Sequence, residues 1–280
     1  MVDALSPTLL LDDGRRIPQL GLGVYKTTDA EAADAVDFAL RNGYRLIDTA
    51  AMYLNEKGVG EGVRRSGLPR DDVFVTTKVW FTENGYDSTL RSFDESLERL
   101  GTDYVDLYMI HWPAPANDRY VDTWRALEKL AAEGRARSIG VANFHTKHLD
   151  RLIAETGTTP AVNQVELHPW LPQAEVRAYD AAHGILTQAW SPLARGHVLD
   201  PAHGGDVLAG VARKHDKSPA QIVLRWHVQL GVSVIPKSVT PQRIRENIDV
   251  FDFALDADDL EVIASLATGE RTGVDPDDRN

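Results

Sequence analysis

Apolar and polar positions follow one another in a repeating order along this chain. Short runs of β-forming residues are each followed by a longer amphipathic or polar stretch. The short runs predict eight strands, at Leu20–Val24, Arg45–Asp48, Val73–Lys78, Val105–His111, Ser138–Ala142, Ala161–Glu166, Ile185–Trp190 and Val232–Pro236.

The stretches between these runs predict helices. In "DAEAADAVDFALRNG" the small apolar residues fall on one helical stripe, and Asn42–Gly43 supplies a C-terminal cap. "SPAQIVLRWHVQLG" begins with Ser218 as N-cap and Pro219 in the first turn. Two further helices, in "DVLAGVARKHD" and "DADDLEVIASLA", are additional to the alternation.

This order of elements predicts an α/β protein, a (β/α)8 barrel formed by residues 1–280 as a single domain, because no linker rich in Pro, Gly or Ser divides the chain. A doubly wound open sheet is the alternative architecture. Before the first strand, "TLLLDDGRRIPQL" predicts a β-hairpin about Asp13–Gly14, which could close the bottom of a barrel.

Composition narrows the classes of function. The net charge of −12 argues against a broad nucleic-acid surface, although a local basic cluster could still bind a small anion. No apolar run is long enough for a membrane span, and the first residues lack the features of a signal peptide, so a cytoplasmic protein is expected. The absence of cysteine excludes disulfides and thiolate chemistry.

Four chemically useful side chains lie at or just after the ends of neighbouring predicted strands. Asp48, Lys78 and His111 end the second, third and fourth strands, and Tyr53 follows the second. In a parallel barrel these ends form one rim, which is where the catalytic residues of such barrels lie. Each residue alone could be an ordinary turn, surface or structural residue; together they predict an active site.

Two segments compete as the phosphate site. Gly58, Gly60 and Gly62 are spaced like a nucleotide loop but have no glycine at the third fingerprint position, so close packing or a helix start is the better interpretation. In "IPKSVTPQRIREN" Lys237, Ser238 and Arg243 can converge near a helix N-terminus, which favours phosphate. From these residues alone a basic surface turn is equally compatible.

Seven motifs follow one another along nearly the whole chain: "GLGVY", "RLIDTAAMYLNE", "TTKVW", "LYMIHWP", "GVANF", "NQVELHP" and "IPKSVTPQRIREN". In order and spacing these motifs resemble the aldo-keto reductases. The branch most similar is that of the prokaryotic 2,5-diketo-gluconate reductases. The resemblance implies a monomeric (β/α)8 barrel that reduces carbonyl compounds with NADPH, and a catalytic set of Asp48, Tyr53, Lys78 and His111.

These four residue types suit carbonyl reduction, which needs a hydride at carbon and a proton at oxygen. A phenol has an unperturbed pKa of ~10, and a nearby ammonium lowers it. We therefore expect Lys78, held by Asp48, to lower the pKa of Tyr53, so that Tyr53 acts as general acid in reduction and general base in oxidation. His111 is expected to orient the carbonyl as a neutral imidazole.

The resemblance also implies the residues that bind NADPH. Lys237, Ser238, Val239 and Arg243 would surround the adenosine 2′-phosphate, Glu246 and Asn247 the adenine, and Asn143 and Gln164 the carboxamide. Trp190 would stack on the nicotinamide, and Gly23, Val24, Ser191, Leu193 and Ile235 would lie along the cofactor. The chain departs from the common pattern at Ala142, where many members have Ser, so one carboxamide hydrogen bond is either absent or made by water. Arg195 also departs from it, and we expect this arginine to contact the pyrophosphate.

Aromatic residues at the same rim predict the substrate pocket, with Tyr25, Trp80 and Trp112 as walls beside His111. The short polar tail after Leu266 predicts an open pocket for small aldehydes, dicarbonyls or keto-sugars. No metal is expected, since Glu166 and His168 lack an evident third ligand. Two other functions stay open at this stage: an NADPH-binding sensor or regulatory subunit, and a metal-dependent barrel hydrolase, whose ligands the nine histidines do not supply.

Overall fold

Eight parallel strands form the central sheet in the computed structural model, which describes residues 5–279. The strands are β3 (Leu22–Gly23), β4 (Leu46–Asp48), β5 (Phe74–Val79), β6 (Val105–Ile110), β7 (Ala136–Ala142), β8 (Val162–Glu166), β9 (Leu186–Trp190) and β10 (Ser233–Val234). Each pairs with the next along the chain, and parallel bridges from Leu20 to Val234 and from Gly23 to Lys237 join the first strand to the last. The sheet is therefore a closed barrel, and the open-sheet alternative is wrong.

All eight predicted strands are present, with shifts at their ends. The first and last are the shortest, because regular pairing gives way to single bridges where the barrel closes. β5 extends one residue past Lys78, and β6 stops one residue before His111. These shifts leave the predicted polar residues at the same end of the barrel.

The strands alternate with helices, which are α1 (Asp29–Arg41), α2 (Glu56–Ser66), α3 (Tyr86–Leu100), α4 (Tyr120–Ala132), α5 (Thr146–Thr156), α6 (Ala174–Ala182), α7 (Gly205–His215), α8 (Pro219–Gln229), α9 (Pro241–Ile248) and α10 (Ala257–Ala264). The two additional helices are confirmed as α7 and α10. At the start of α8, the Ser218 hydroxyl accepts a hydrogen bond from the Gln221 backbone N–H, as the sequence predicts. Within residues 5–279, no helix combines the length and the apolar character required to cross a membrane.

The predicted hairpin is present and closes the bottom of the barrel. β1 (Thr8–Leu10) pairs antiparallel with β2 (Arg16–Pro18) around the turn. Leu11 and Ile17, which are fully buried, belong to one apolar cluster with Leu46, Phe74 and Leu107 of the barrel strands. The apolar layer at this end leaves the opposite, C-terminal end of the strands for the site.

The three glycines of "GVGEG" are packing positions in α2. A Cβ atom on Gly58 would lie 2.1 Å from the Asp29 carbonyl oxygen of α1, and one on Gly60 would lie 2.0 Å from the Leu100 carbonyl oxygen of α3. Gly62 approaches the Ala33 carbonyl oxygen of α1 in the same way. Only glycine allows such close approach of the backbones, so the structure confirms the packing interpretation.

Candidate active site

A buried ion pair lies at the C-terminal end of β4 and β5. The Lys78 Nζ donates to Asp48 Oδ1 at 2.6 Å and to the Thr49 carbonyl oxygen at 2.9 Å. The Lys78 side chain is 0% exposed and that of Asp48 is 2% exposed. Burial lowers the pKa of Lys78, while the Asp48 charge and its hydrogen bond oppose this shift. The predicted pairing of Asp48 with Lys78 is therefore present.

Tyr53 and His111 join this pair at the same rim. Tyr53 ends a one-turn 3₁₀ helix, Ala51–Tyr53, directly after β4, and Lys78 Nζ lies 5.4 Å from the centre of its ring. The ring centres of Tyr53 and His111 are 5.6 Å apart at an interplanar angle of 73°. The structure thus brings all four predicted catalytic side chains together.

The pKa of Tyr53 differs from the expectation. Burial raises it well above 10, and the Asp48 charge and Tyr25 raise it further. The expected lowering by Lys78 is therefore wrong for this structure. Burial is the largest cause of the raised pKa, and the Asp48 carboxylate, which is paired with Lys78 at 2.6 Å, adds to it. Tyr53 keeps its proton at neutral pH.

His111 is a neutral imidazole in these surroundings. Burial lowers its pKa well below 6.5, and the positive charges of Lys78 and Arg279 add to that effect. Its Nδ1 is buried with no hydrogen-bond partner in the described part of the chain. A neutral imidazole has one N–H to donate, which suits a carbonyl oxygen placed beside Tyr53.

A chain of buried amides supports Asp48 from inside the barrel. Gln164 Nε2 donates to Asp48 Oδ2 at 2.8 Å and to Gln188 Oε1 at 2.7 Å, and Gln188 Nε2 donates to Ser233 Oγ at 3.0 Å. Both amide hydrogens of Gln164 are thus used, which leaves its oxygen to accept from a carboxamide. The sequence pattern does not indicate a role for Gln188 or Ser233, because their contacts depend on how neighbouring strands pair.

Asn55 and Glu56, which follow Tyr53, hold the loop in place. Asn55 is 0% exposed and binds the Val24 carbonyl oxygen and the Thr49 hydroxyl. Glu56 accepts from Arg99 Nε at 2.6 Å. These contacts fix the loop that carries Tyr53.

At the predicted nicotinamide end, Asn143 and Trp190 bind each other. The indole N–H of Trp190 donates to Asn143 Oδ1 at 2.8 Å, and Asn143 Nδ2 donates to the His111 carbonyl oxygen at 2.9 Å. Asn143, Ser191 and Arg195 all have φ between 52° and 63°, a left-handed backbone conformation that costs free energy in non-glycine residues. Ala142 is buried beside them.

The predicted phosphate residues lie together beyond β10. Lys237 and Arg243 are exposed, Ser238 is buried, and its hydroxyl accepts from the Thr240 backbone N–H just before α9. Gly23 lies alongside, where its backbone N–H donates to the Pro236 carbonyl oxygen at 3.1 Å and a Cβ atom on it would lie 3.2 Å from the Ile235 carbonyl oxygen. Two cations and a helix N-terminus are a donor set that fits a ribose phosphate.

The remaining predicted cofactor residues lie after β3, in the loop after β9, beside Ser238 and on α9. Val24 is buried just after β3, and Leu193 and Arg195 lie in the loop after β9. Val239 is 38% exposed next to Ser238. On α9, Glu246 is half-buried and accepts from Gln242 Nε2, while Asn247 is buried.

Aromatic rings surround His111 as predicted. The Trp80 and His111 ring centres are 5.0 Å apart, Trp112 is buried, and Tyr25 lies 4.9 Å from Tyr53. The open pocket stays a prediction, and the C-terminal tail approaches this region. The guanidinium carbon of Arg279 lies 5.1 Å from the centre of the Trp80 ring. Nothing in the sequence pattern places Arg279 at the pocket.

Glu166 and His168 have the structural role that the sequence favours. His168 Nε2 lies 3.2 Å from Glu166 Oε1, and Glu166 also accepts from the backbone N–H groups of Thr272 and Gly273. Burial raises the pKa of Glu166, but the hydrogen bonds from His168 and Thr272 outweigh it and lower the pKa overall. The pair anchors the tail.

Two other groups have ligand atoms close enough for a metal ion: His197, His203 and Glu270, and His145, Asp275 and Asp277. The His197 and His203 rings stack with centres 3.7 Å apart at 14°. One ion cannot lie in the planes of two parallel rings at that separation, so the first group is not preformed for coordination. The second group ties the tail to α5.

Comparisons with known proteins agree with this geometry. The sequence profile of the Aldo/keto reductase family matches residues 19–268. An aldo-keto reductase of Mycolicibacterium smegmatis is 55% identical over 97% of this chain and 98% of its own. A glyoxal reductase of Bacillus subtilis is 50% identical over 99% of both chains. The crystal structure of a Gox0644 mutant in complex with NADPH superposes with a TM-score of 0.93 at 45% identity, covering 98% of this chain and 99% of the other.

Proposed function

Because the chain belongs to the aldo-keto reductase family and is an NADPH-dependent oxidoreductase acting on carbonyl groups, we propose that Tyr53 donates the proton that turns the carbonyl into an alcohol. We propose small aldehydes, dicarbonyls or keto-sugars as the substrates, and the glyoxal reductase relative supports this class. One observation carries the assignment of Tyr53: a protonated phenol beside the fully buried Asp48–Lys78 pair.

We propose a separate role for each residue at the carbonyl group. Tyr53 gives its proton to the carbonyl oxygen, and the Asp48–Lys78 ion pair lies beside the phenol ring, with Lys78 Nζ 5.4 Å from the ring centre. His111 donates a hydrogen bond to the same oxygen and so fixes the orientation of the substrate. NADPH supplies the hydride when bound. Since the pKa of Tyr53 lies well above 10, the phenol carries at neutral pH the proton that reduction requires.

The cofactor's phosphate has a proposed site at Lys237, Ser238 and Arg243. Two positive charges beside a ribose phosphate favour NADPH over NADH, because charge-assisted hydrogen bonds are stronger than neutral ones. We propose that Gln164 accepts from the carboxamide and that Asn143 donates to it. Trp190 presents its ring to the nicotinamide, and Glu246 and Asn247 lie near the adenine.

A direct test is NADPH oxidation across a panel of small carbonyl compounds, with NADH alongside. The variants Lys237→Ala and Arg243→Ala should each raise the KM for NADPH by about tenfold and leave that for NADH nearly unchanged. Arg245→Ala is the matched control, because Arg245 donates to Asn42 and lies over the Phe38 ring. Equal effects of Arg243→Ala and Arg245→Ala would contradict a phosphate site at Arg243.

Arg195 is proposed to contact the pyrophosphate. It is exposed in the loop after β9, with a backbone φ of 53°. Arg195→Ala should weaken NADPH binding, measured by quenching of tryptophan fluorescence. An unchanged dissociation constant would remove Arg195 from the site.

Three broader features are also proposed: residues 1–280 act as one barrel domain, the protein is a monomer, and it works in the cytoplasm. Size-exclusion chromatography with light scattering tests the second. The regulatory alternative, with NADPH bound but little turnover, finds no support among the relatives named above.

A further inference from the structure

A continuous line of hydrogen bonds runs through the interior of the barrel and connects its rim with its bottom. At the rim, Gln164 Nε2 donates to Asp48 Oδ2 and to Gln188 Oε1, at 2.8 and 2.7 Å. Further on, Gln188 Nε2 donates to Ser233 Oγ at 3.0 Å, and the Ser233 hydroxyl donates to the Pro18 carbonyl oxygen at 3.3 Å. Because Pro18 ends β2, this line joins the hairpin that closes the barrel to the catalytic carboxylate.

Three of these residues occupy matched positions on neighbouring strands. Gln164 on β8 is the register partner of Gln188 on β9, and Gln188 is the partner of Ser233 on β10. Gln164 is 2% exposed, and the other two are 0% exposed. The interior of parallel barrels is normally filled by Val, Ile and Leu, whose burial carries no cost of desolvating polar groups. A buried row of polar side chains therefore indicates a role in the site above it.

The two ends of the line fix the orientation of both amides between them. A proline carbonyl and a carboxylate can only accept hydrogen bonds. Because the single hydroxyl hydrogen of Ser233 goes to Pro18, the Ser233 oxygen accepts, and Gln188 turns its NH2 group toward it. The Gln188 oxygen then faces Gln164, whose NH2 group binds this oxygen and the Asp48 carboxylate together. Reversing either amide would place two donors or two acceptors in contact.

The direction of the Gln164 oxygen is the consequence that matters for the cofactor. Both hydrogens of the Gln164 NH2 group are directed at Asp48 and Gln188, so its Oε1 is the atom that can meet a ligand. An amide oxygen accepts from an N–H group and repels another oxygen. In this orientation Gln164 therefore selects the NH2 group of a carboxamide.

We infer that Gln188 is a positioning residue for NADPH, and that it holds the Gln164 oxygen toward the NH2 group of the cofactor's carboxamide. This inference rests on the proposed contact between Gln164 and the carboxamide. It gives the hairpin a function beyond closing the barrel, because Pro18 supplies the acceptor that orients Ser233 and, through it, Gln188. Without Gln188, the Gln164 amide would be free to rotate about its hydrogen bond to Asp48.

The test compares NADP⁺ with its 3-acetylpyridine analogue, in which a methyl group replaces the NH2 group of the carboxamide. The analogue keeps the carbonyl, the phosphates and the adenine but offers Gln164 no N–H. Quenching of tryptophan fluorescence gives both dissociation constants, and their ratio is the preference for NADP⁺. The proteins are the natural protein, Gln188→Met, Ser233→Ala and Thr187→Val. Thr187 is the matched control, because it precedes Gln188 on β9, faces the other side of the strand and donates a buried hydrogen bond to Asp180.

The natural protein should prefer NADP⁺ over the analogue by about threefold or more. Gln188→Met keeps the length of the side chain but removes the oxygen that Gln164 binds. It should weaken NADP⁺ binding by about three- to tenfold and analogue binding by less than about twofold, so that the preference nearly disappears. Ser233→Ala should reduce the preference by a smaller factor, because Gln188 keeps its oxygen and loses only its anchor. Thr187→Val should leave the preference unchanged.

An unchanged preference in Gln188→Met, with both cofactors weakened equally or not at all, would overturn the inference and leave Gln188 a structural role. If thermal unfolding shows that Gln188→Met does not fold, Ser233→Ala decides, and an unchanged preference in that variant overturns the inference. Equal binding of NADP⁺ and the analogue by the natural protein would remove the proposed Gln164 contact and this inference together. The proposed role of Tyr53 would then still stand.

Discussion

The buried Asp48–Lys78 pair gives a sharp stability prediction. Lys78→Met removes the ammonium and leaves the Asp48 carboxylate, 2% exposed, with the hydrogen bond from Gln164 as its remaining side-chain contact. Removing one partner of a buried pair costs roughly 3–5 kcal/mol in the free energy of unfolding. In a chain of this size that should lower Tm by on the order of 10 °C.

The free energy of unfolding that is lost in Lys78→Met should depend on pH in a known direction. In Lys78→Met, burial without a counter-charge raises the folded-state pKa of Asp48 above its unfolded value of ~3.9. The folded state then binds a proton more readily than the unfolded state, so the loss of stability is full above the raised pKa and fades as pH falls through it. Adding Asp48→Asn removes the charge and should recover more than half of the loss at pH 7.

Urea unfolding at pH 7 and at pH 5, followed by tryptophan fluorescence, measures these effects. Lys129→Met is the control, because Lys129 pairs with Glu133 on an exposed helix surface and should cost no more than about 1 kcal/mol. If Lys78→Met costs no more than this control, or if Asp48→Asn brings no recovery, the buried pair does not carry the charge balance described here.

Two further predictions concern the scaffold and the imidazole. Gly60→Ala should destabilise the protein by about 1–3 kcal/mol or more, because its Cβ would lie 2.0 Å from the Leu100 carbonyl oxygen. Gly210→Ala, in the open interior of α7, should instead stabilise it by roughly 0.5–1 kcal/mol. Thermal unfolding measures both changes in stability, and changes of the same sign would contradict the packing argument. Since the pKa of His111 lies well below 6.5, His111 stays neutral near that pH and kcat/KM should show no inflection at about 6.5. An inflection there that His111→Gln abolishes would show that the imidazole titrates.

The sequence predicts the barrel and its catalytic rim because both depend on local pattern and parallel topology. Once β4, β5 and β6 are recognised, Asp48, Lys78 and His111 must lie at one end. The pKa of Tyr53 could not be predicted in this way. Burial raises it most and the Asp48 charge adds to the effect, and strand order specifies neither the burial of the phenol nor its distance from Asp48.

The path of the C-terminal tail is a second feature that the sequence pattern does not predict. Residues 267–279 look like a short polar end, and their composition suggests an open pocket. Their path depends on hydrogen bonds to Glu166 and on contacts with His145, which are remote in sequence. Arg279 therefore reaches the pocket through tertiary contacts that no periodicity records.

The central claim is that Tyr53 donates the proton during NADPH-dependent carbonyl reduction, and Tyr53→Phe tests it most directly. The phenylalanine keeps the ring beside His111 and removes only the hydroxyl. Turnover of a reactive dicarbonyl should fall by at least roughly 10²-fold, with the NADPH dissociation constant changed less than about twofold. Tyr25→Phe, at an exposed ring 4.9 Å away, should retain activity. Near-normal turnover in Tyr53→Phe would contradict the account.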